Sequence, residues 1–216
     1  MTGKRIAGIL FAVALLIAVG MSAVSAGDVS VDTIAVEKID LYNLAVDEAE
    51  AGNYAAAMTH IDAAIAIDGN FTLAWVTKAG ISSAKRDYTG ALAAGEKAIA
   101  QNPEQADAWA ATADALLNLG RYEEAIEAAE TAITLNPDMI ESYIILGTAY
   151  GRTGEYKKMT AVSKRALDIN PDDLQAQGNL DFAQANVGDD TESPASTPAE
   201  KTSFPVICMV GSGLVA

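Results

Sequence analysis

The sequence holds one cysteine, one histidine and few aromatic residues, 6% of 216. Cys208 has no mate, so neither an intramolecular disulfide nor a cysteine-based metal site can form. His60 has no second histidine or cysteine with which to build a catalytic triad or a metal cluster, and it reads as an ordinary helix-surface residue. Cations are also scarce: 14 Lys and Arg stand against 29 Asp and Glu, a formal net charge of −15. A basic face is the footprint of nucleic-acid binding, and its absence argues against DNA or RNA as a partner. No glycine loop of the phosphate-binding type is present. Acid pairs such as Glu123 and Glu127 stand at i,i+4, the spacing of a solvated helix face, whereas a catalytic pair also needs a cleft. The expectation is a protein that is not an enzyme and has no cofactor and no metal. What is abundant is alanine, which suits close helix–helix packing better than a β-sandwich.

The two ends differ from the body. Residues 1–26 have a basic start (Lys4, Arg5), an apolar run from Ile6 and the small-residue pattern Val24-Ser25-Ala26. These are the three regions of a secretory signal peptide. The charge-free run is also long enough for an uncleaved anchor. Residues 27–37 form a pre-repeat segment. Residues 188–203 are rich in Ser, Thr, Pro and Glu and read as a disordered, solvated linker. Residues 204–216 are apolar and uncharged but shorter than the about 20 residues that a spanning helix needs. They read as the start of a membrane anchor, a sorting signal or a docking tail. The expected location is exported: cell surface, a periplasm-like space or secreted, with membrane attachment through either apolar end.

The body repeats. Windows starting at Ala51, Lys85, Leu119 and Thr153 share one shape, each 34 residues after the last. The units are 38–71, 72–105, 106–139 and 140–173, and 174–187 continues the register as a capping helix. Each unit holds two amphipathic helical patterns. In the third, Gly120 ends the first helix, Glu123 and Glu124 favour the start of the second, and Asn136-Pro137 stops it.

This pattern resembles the tetratricopeptide repeat, a 34-residue helix–turn–helix. The large first-helix slot holds Leu41, Trp75, Trp109 and Tyr143, and the leucine slot Leu44, Lys78, Thr112 and Leu146. The small slot holds Ala45, Ala79, Ala113 and Gly147. Gly52, Arg86, Gly120 and Gly154 fill the turn, each followed two residues later by Tyr54, Tyr88, Tyr122 or Tyr156. Ala64, Ala98, Ala132 and Ala166 complete the second helix, which ends at Gly69, Pro103, Pro137 or Pro171. The second-helix aromatic is replaced by Ile61, Gly95, Ala129 and Ser163, which implies closer or looser helix packing in the same fold. The resemblance implies an all-α class: an α-solenoid, a right-handed superhelix whose first helices line a concave groove.

By register, the groove would be lined by Ile39, Tyr42, Val46, Leu73, Val76, Gly80, Asp107, Ala110, Asp114, Leu117, Asn118, Glu141, Ile144, Thr148 and Arg152. Its first half is apolar and its second mixed and partly acidic, which suits a protein or peptide segment with apolar anchors and some basic residues. Chaperone-binding members hold a C-terminal carboxylate with Lys, Arg and Asn. Of those types only Asn43 stands in the corresponding slots here, so that activity is not expected. Asn70-Phe71-Thr72 is an N-glycosylation sequon. Two functions from different classes remain: an exported protein-binding scaffold, or a structural component that self-associates in an envelope or membrane complex.

Overall fold

The computed structural model describes residues 31–189; the expectations for 1–26, 190–203 and 204–216 lie outside them. The described residues form nine α-helices and no strand: α1 Val31–Glu50, α2 Tyr54–Ile67, α3 Thr72–Ala84, α4 Tyr88–Gln101, α5 Ala106–Asn118, α6 Tyr122–Leu135, α7 Ile140–Thr153, α8 Tyr156–Ile169 and α9 Leu174–Asn186. A 3-10 turn, Val187–Asp189, follows α9. Residues 31–37, expected ahead of the first repeat, are part of α1, and no glycine or proline interrupts them. Packing divides the chain into Met1–Ala35 and Val36–Ala216, and every contact below lies within the second unit.

Each helix pair turns on one left-handed residue. Gly52, Gly120 and Gly154 have φ of 78°, 77° and 79°, and Arg86 takes 62° in the same slot. The residue after each donates its backbone N–H back to a carbonyl of the helix just ended. The bonds are Asn53 to Glu48, Asp87 to Ser82, Arg121 to Leu116 and Glu155 to Tyr150, all 2.8–2.9 Å. This closure satisfies carbonyls that the helix end leaves open. Arg86 adopts a conformation that costs an L-residue about 1–2 kcal/mol. Arg86→Gly should therefore raise stability by up to ~1 kcal/mol, after glycine's larger unfolded-state entropy is subtracted. The thermal midpoint should rise by about 2–4 °C; an unchanged or lower midpoint would show that the arginine side chain offsets its backbone cost.

The joints between pairs also repeat. Asp68, Asn102, Asn136 and Asn170 each accept, through the side-chain Oδ1, the backbone N–H two residues on, at 3.0–3.2 Å. Such a turn stops the helix and redirects the chain. The large first-helix residue then ties the joint from the other side. Trp75 Nε1 donates to the Gly69 carbonyl (2.9 Å), Trp109 Nε1 to Pro103 (2.8 Å) and the Tyr143 hydroxyl to Pro137 (3.1 Å). An aromatic body with a polar tip fills that slot because it packs and donates at once.

The core is mostly alanine. Ala45, Ala79 and Ala113, and Ala64, Ala98, Ala132 and Ala166, are all at most 1% exposed. Methyl groups at these crossings let the helix backbones approach closely. First helices also pack on the next in line, α3 on α5, α5 on α7 and α7 on the cap α9, whereas no comparable contact joins α4 to α6 or α6 to α8. The layer therefore curves with the first helices inside. Helix α9 buries Ala176 and Ala183 completely and turns Gln177, Asp181 and Gln184 outward. Its outer face closes the stack and is polar apart from Leu174, which is 87% exposed. The fold is an α-solenoid of helix–turn–helix pairs with a capping helix.

Candidate functional site

The concave face is set by α1, α3, α5 and α7, and side chains at equal register form rows across it. The first row is Ile39, Leu73, Asp107 and Glu141, all exposed. One turn on come Tyr42, Val76, Ala110 and Ile144; then Val46, Gly80, Asp114 and Thr148; Leu117, Asn118 and Arg152 lie at the far end. Apolar residues occupy the rows on α1 and α3, and acids enter on α5 and α7. Asp107, Asp114 and Glu141 make that half negative.

The structure separates these residues by what they already do. Ile39 and Leu73 are 47% and 45% exposed, large apolar side chains with much of their surface in water. Val46, Val76, Asp114 and Arg152 are half-buried, and Asn118 is exposed. Four others are engaged in holding the solenoid together. The Tyr42 ring packs on Phe71 (centroids 5.2 Å apart), and its hydroxyl accepts from the Thr77 hydroxyl at 3.4 Å. Ile144 is 5% exposed because α9 covers it, with Asn179 Nδ2 donating to the Ile144 carbonyl and to Thr148 Oγ1, both at 3.3 Å. Leu117 packs against the central hydrophobic cluster. Ala110, at 9% exposure, offers only backbone and a methyl edge. Register places Tyr42, Ile144 and Ala110 on this face; Ile144 and Ala110 are buried there, and Tyr42 is half-buried against Phe71.

Asp114 differs from the other acids among the described residues. Its carboxylate accepts from Asn118 Nδ2 at 3.0 Å and from the Ser83 hydroxyl on the preceding first helix. Burial pushes its carboxyl above the ordinary range, and the two hydrogen bonds oppose that rise. Sequence register placed Asp114 and Asn118 on this face but missed Ser83. The signal available was its place one turn after Gly80, level with Leu117. Elsewhere acids meet cations: Asp62 with Lys78 (2.7 Å), Asp68 with Lys38, Glu124 with Arg121 and Glu155 with Lys158. The Lys78 bridge, with its ammonium 5.4 Å from the Trp75 ring centre, explains how lysine is held in the slot where leucine was expected.

Asn70 lies exposed in the turn between α2 and α3, its N–H bonded to Asp68 Oδ1. His60 is half-buried on α2. Among the described residues no group of three His, Cys, Asp or Glu is placed to hold a metal, and no helix is long and apolar enough to cross a membrane.

Residues 83–140 and 140–173 match the tetratricopeptide repeat family. Solved structures of the same kind superpose on this one. MamA from Desulfovibrio magneticus (residue 41 to the end) is 18% identical, with a TM-score of 0.63, over 71% of this chain and 86% of its own. A thermophilic tetratricopeptide protein of Thermus thermophilus is 21% identical at a TM-score of 0.61, over 70% and 89%. The first tetratricopeptide domain of Spaghetti (RPAP3), bound to the HSP90 peptide SRMEEVD, is 18% identical at 0.53, over 54% and 93%. No curated protein matches the sequence. Residues 83–173 thus carry tetratricopeptide repeats, and the described helices share the fold of these solved structures.

Proposed function

We propose that the protein is a non-catalytic scaffold acting outside the cytoplasm, which holds a segment of a partner protein along the concave face of α1, α3, α5 and α7. Ile39 and Leu73 carry that role, nearly half exposed at equal register on α1 and α3, with half-buried Val76 one turn on. Contiguous apolar surface of this kind gains free energy when a partner covers it, roughly 25 cal/mol per Å². The RPAP3 domain holds the acidic segment SRMEEVD; the acids on α5 and α7 would repel such a segment and favour one with basic residues. Export rests on the signal-like 1–26, and Asn70 would then meet a glycosylation machinery on an exposed turn. Residues 204–216 would serve attachment.

Capture from an envelope extract, read by mass spectrometry, tests this function. Tyr42→Ala is a poor probe because it removes the ring against Phe71. Ile39→Asp with Leu73→Asp changes exposed positions only, and should cut capture of the partner about tenfold or more without lowering the thermal midpoint. Undiminished capture by this double variant would rule out the concave face as the binding surface.

A further inference from the structure

Building on the proposed groove, we infer that Gly80, Ser83, Asp114 and Asn118 form a subsite for a lysine or arginine side chain of the bound segment. Gly80 and Asp114 share one row on adjacent helices. A Cβ built at Gly80 would meet no atom within 4 Å, so the floor of the groove is open at that position in the row. Ser83 and Asn118 both donate to Asp114, and both are neutral. A carboxylate offers about four acceptor positions, which leaves room for a cation after those two donors. The exposed acids Asp62 and Glu124 already have a lysine or arginine of this chain against them. Asp114 is more buried than these, and the donors named on its carboxylate are the Ser83 hydroxyl and the Asn118 amide.

An incoming ammonium or guanidinium would restore the interaction that burial takes from the carboxylate, in a partly dry site where charge-assisted hydrogen bonds are strongest. The methylene stem of the cation would lie along Val76, one turn away on the open floor. A residue kept only for the fold would be better as asparagine, which has the same shape and no charge to desolvate. Asp114→Asn should therefore hold or raise stability while removing the recognition, a pattern typical of residues kept for function.

The full chain and three variants, Asp114→Asn, Gly80→Leu and Leu73→Asp, are panned against a phage-displayed library of random peptides. The wild type should enrich peptides that place a lysine or arginine at a set distance from an apolar residue. Asp114→Asn should keep the apolar preference and lose the basic one. The best synthetic peptide should bind Asp114→Asn roughly tenfold more weakly. Replacing its cation by norleucine should cost the same in the wild type and nothing further in the variant. Gly80→Leu, favourable in a helix, should block the peptide without lowering the thermal midpoint. Enriched peptides without basic residues, or an unchanged basic preference in Asp114→Asn, would overturn the subsite and leave the groove standing. No enrichment by the wild type, or enrichment untouched by Leu73→Asp, would remove the groove and the subsite together.

Discussion

Ile61→Ala is expected to destabilise the N-terminal helix pairs by about 2–5 kcal/mol, the range for emptying a fully buried aliphatic site. Among the described residues Ile61 is the largest side chain with essentially no exposure, and the buried residues around it include Ala45, Ala57, Ala74 and Ile81. The alanine methyl groups cannot swing into the vacated space, whereas Met58, Ile65 and Ile81 pack in the same cluster, and how far they move sets where in that range the cost falls. The loss should also be local. The cluster that contains Ile61 is distinct from those built on α4–α9, and in an array each pair is stabilised by its neighbours alone. Amide exchange in α2 should speed up markedly while α7 and α8 keep their protection. Equal loss of protection along the whole chain would show that the helices unfold as one unit, and the local account would be wrong.

The sequence disclosed most of the fold because the decisive features repeat in identical slots. A left-handed residue every 34 positions, a side chain that turns the chain at Asp68, Asn102, Asn136 and Asn170, and a tryptophan or tyrosine that ties the joint are all local chemistry. Arg86 shows that the slot matters more than the residue type, since it takes the same positive φ as the glycines. The groove was only partly legible. Register gives the face on which a residue stands, but availability depends on what arrives from elsewhere. Phe71 comes from a joint to cover Tyr42, α9 comes from the next position to cover Ile144, and Ser83 reaches Asp114 from the preceding pair. None of these contacts has a period of its own in the sequence.

Gly95 illustrates the same limit, and yields the second large effect. It occupies the slot where the repeat pattern has an aromatic residue, and Thr112, on the next first helix, occupies a leucine slot. A Cβ at Gly95 would stand 2.4 Å from Thr112 Oγ1 and 3.4 Å from its Cα and Cβ. The two substitutions against pattern therefore belong together, and α4 and α5 close on each other at that point. Gly95→Val should cost about 3 kcal/mol, the upper part of the range for overpacking a buried crossing. Gly95→Ala is the sharper test. In the wild-type background the methyl meets the hydroxyl, which cannot move without breaking its 2.8 Å bond to the Ala108 carbonyl in a buried site. The clash should outweigh the ~1 kcal/mol that alanine gains over glycine in a helix, and stability should fall. In a Thr112→Ala background the hydroxyl is gone, and the nearest remaining atoms are at ordinary contact distance. There the same Gly95→Ala change should stabilise, by up to ~1 kcal/mol. Urea unfolding of the four proteins measures both steps. A coupling below ~0.5 kcal/mol would show that the helices separate freely at this crossing and that its glycine is not required by contact with Thr112.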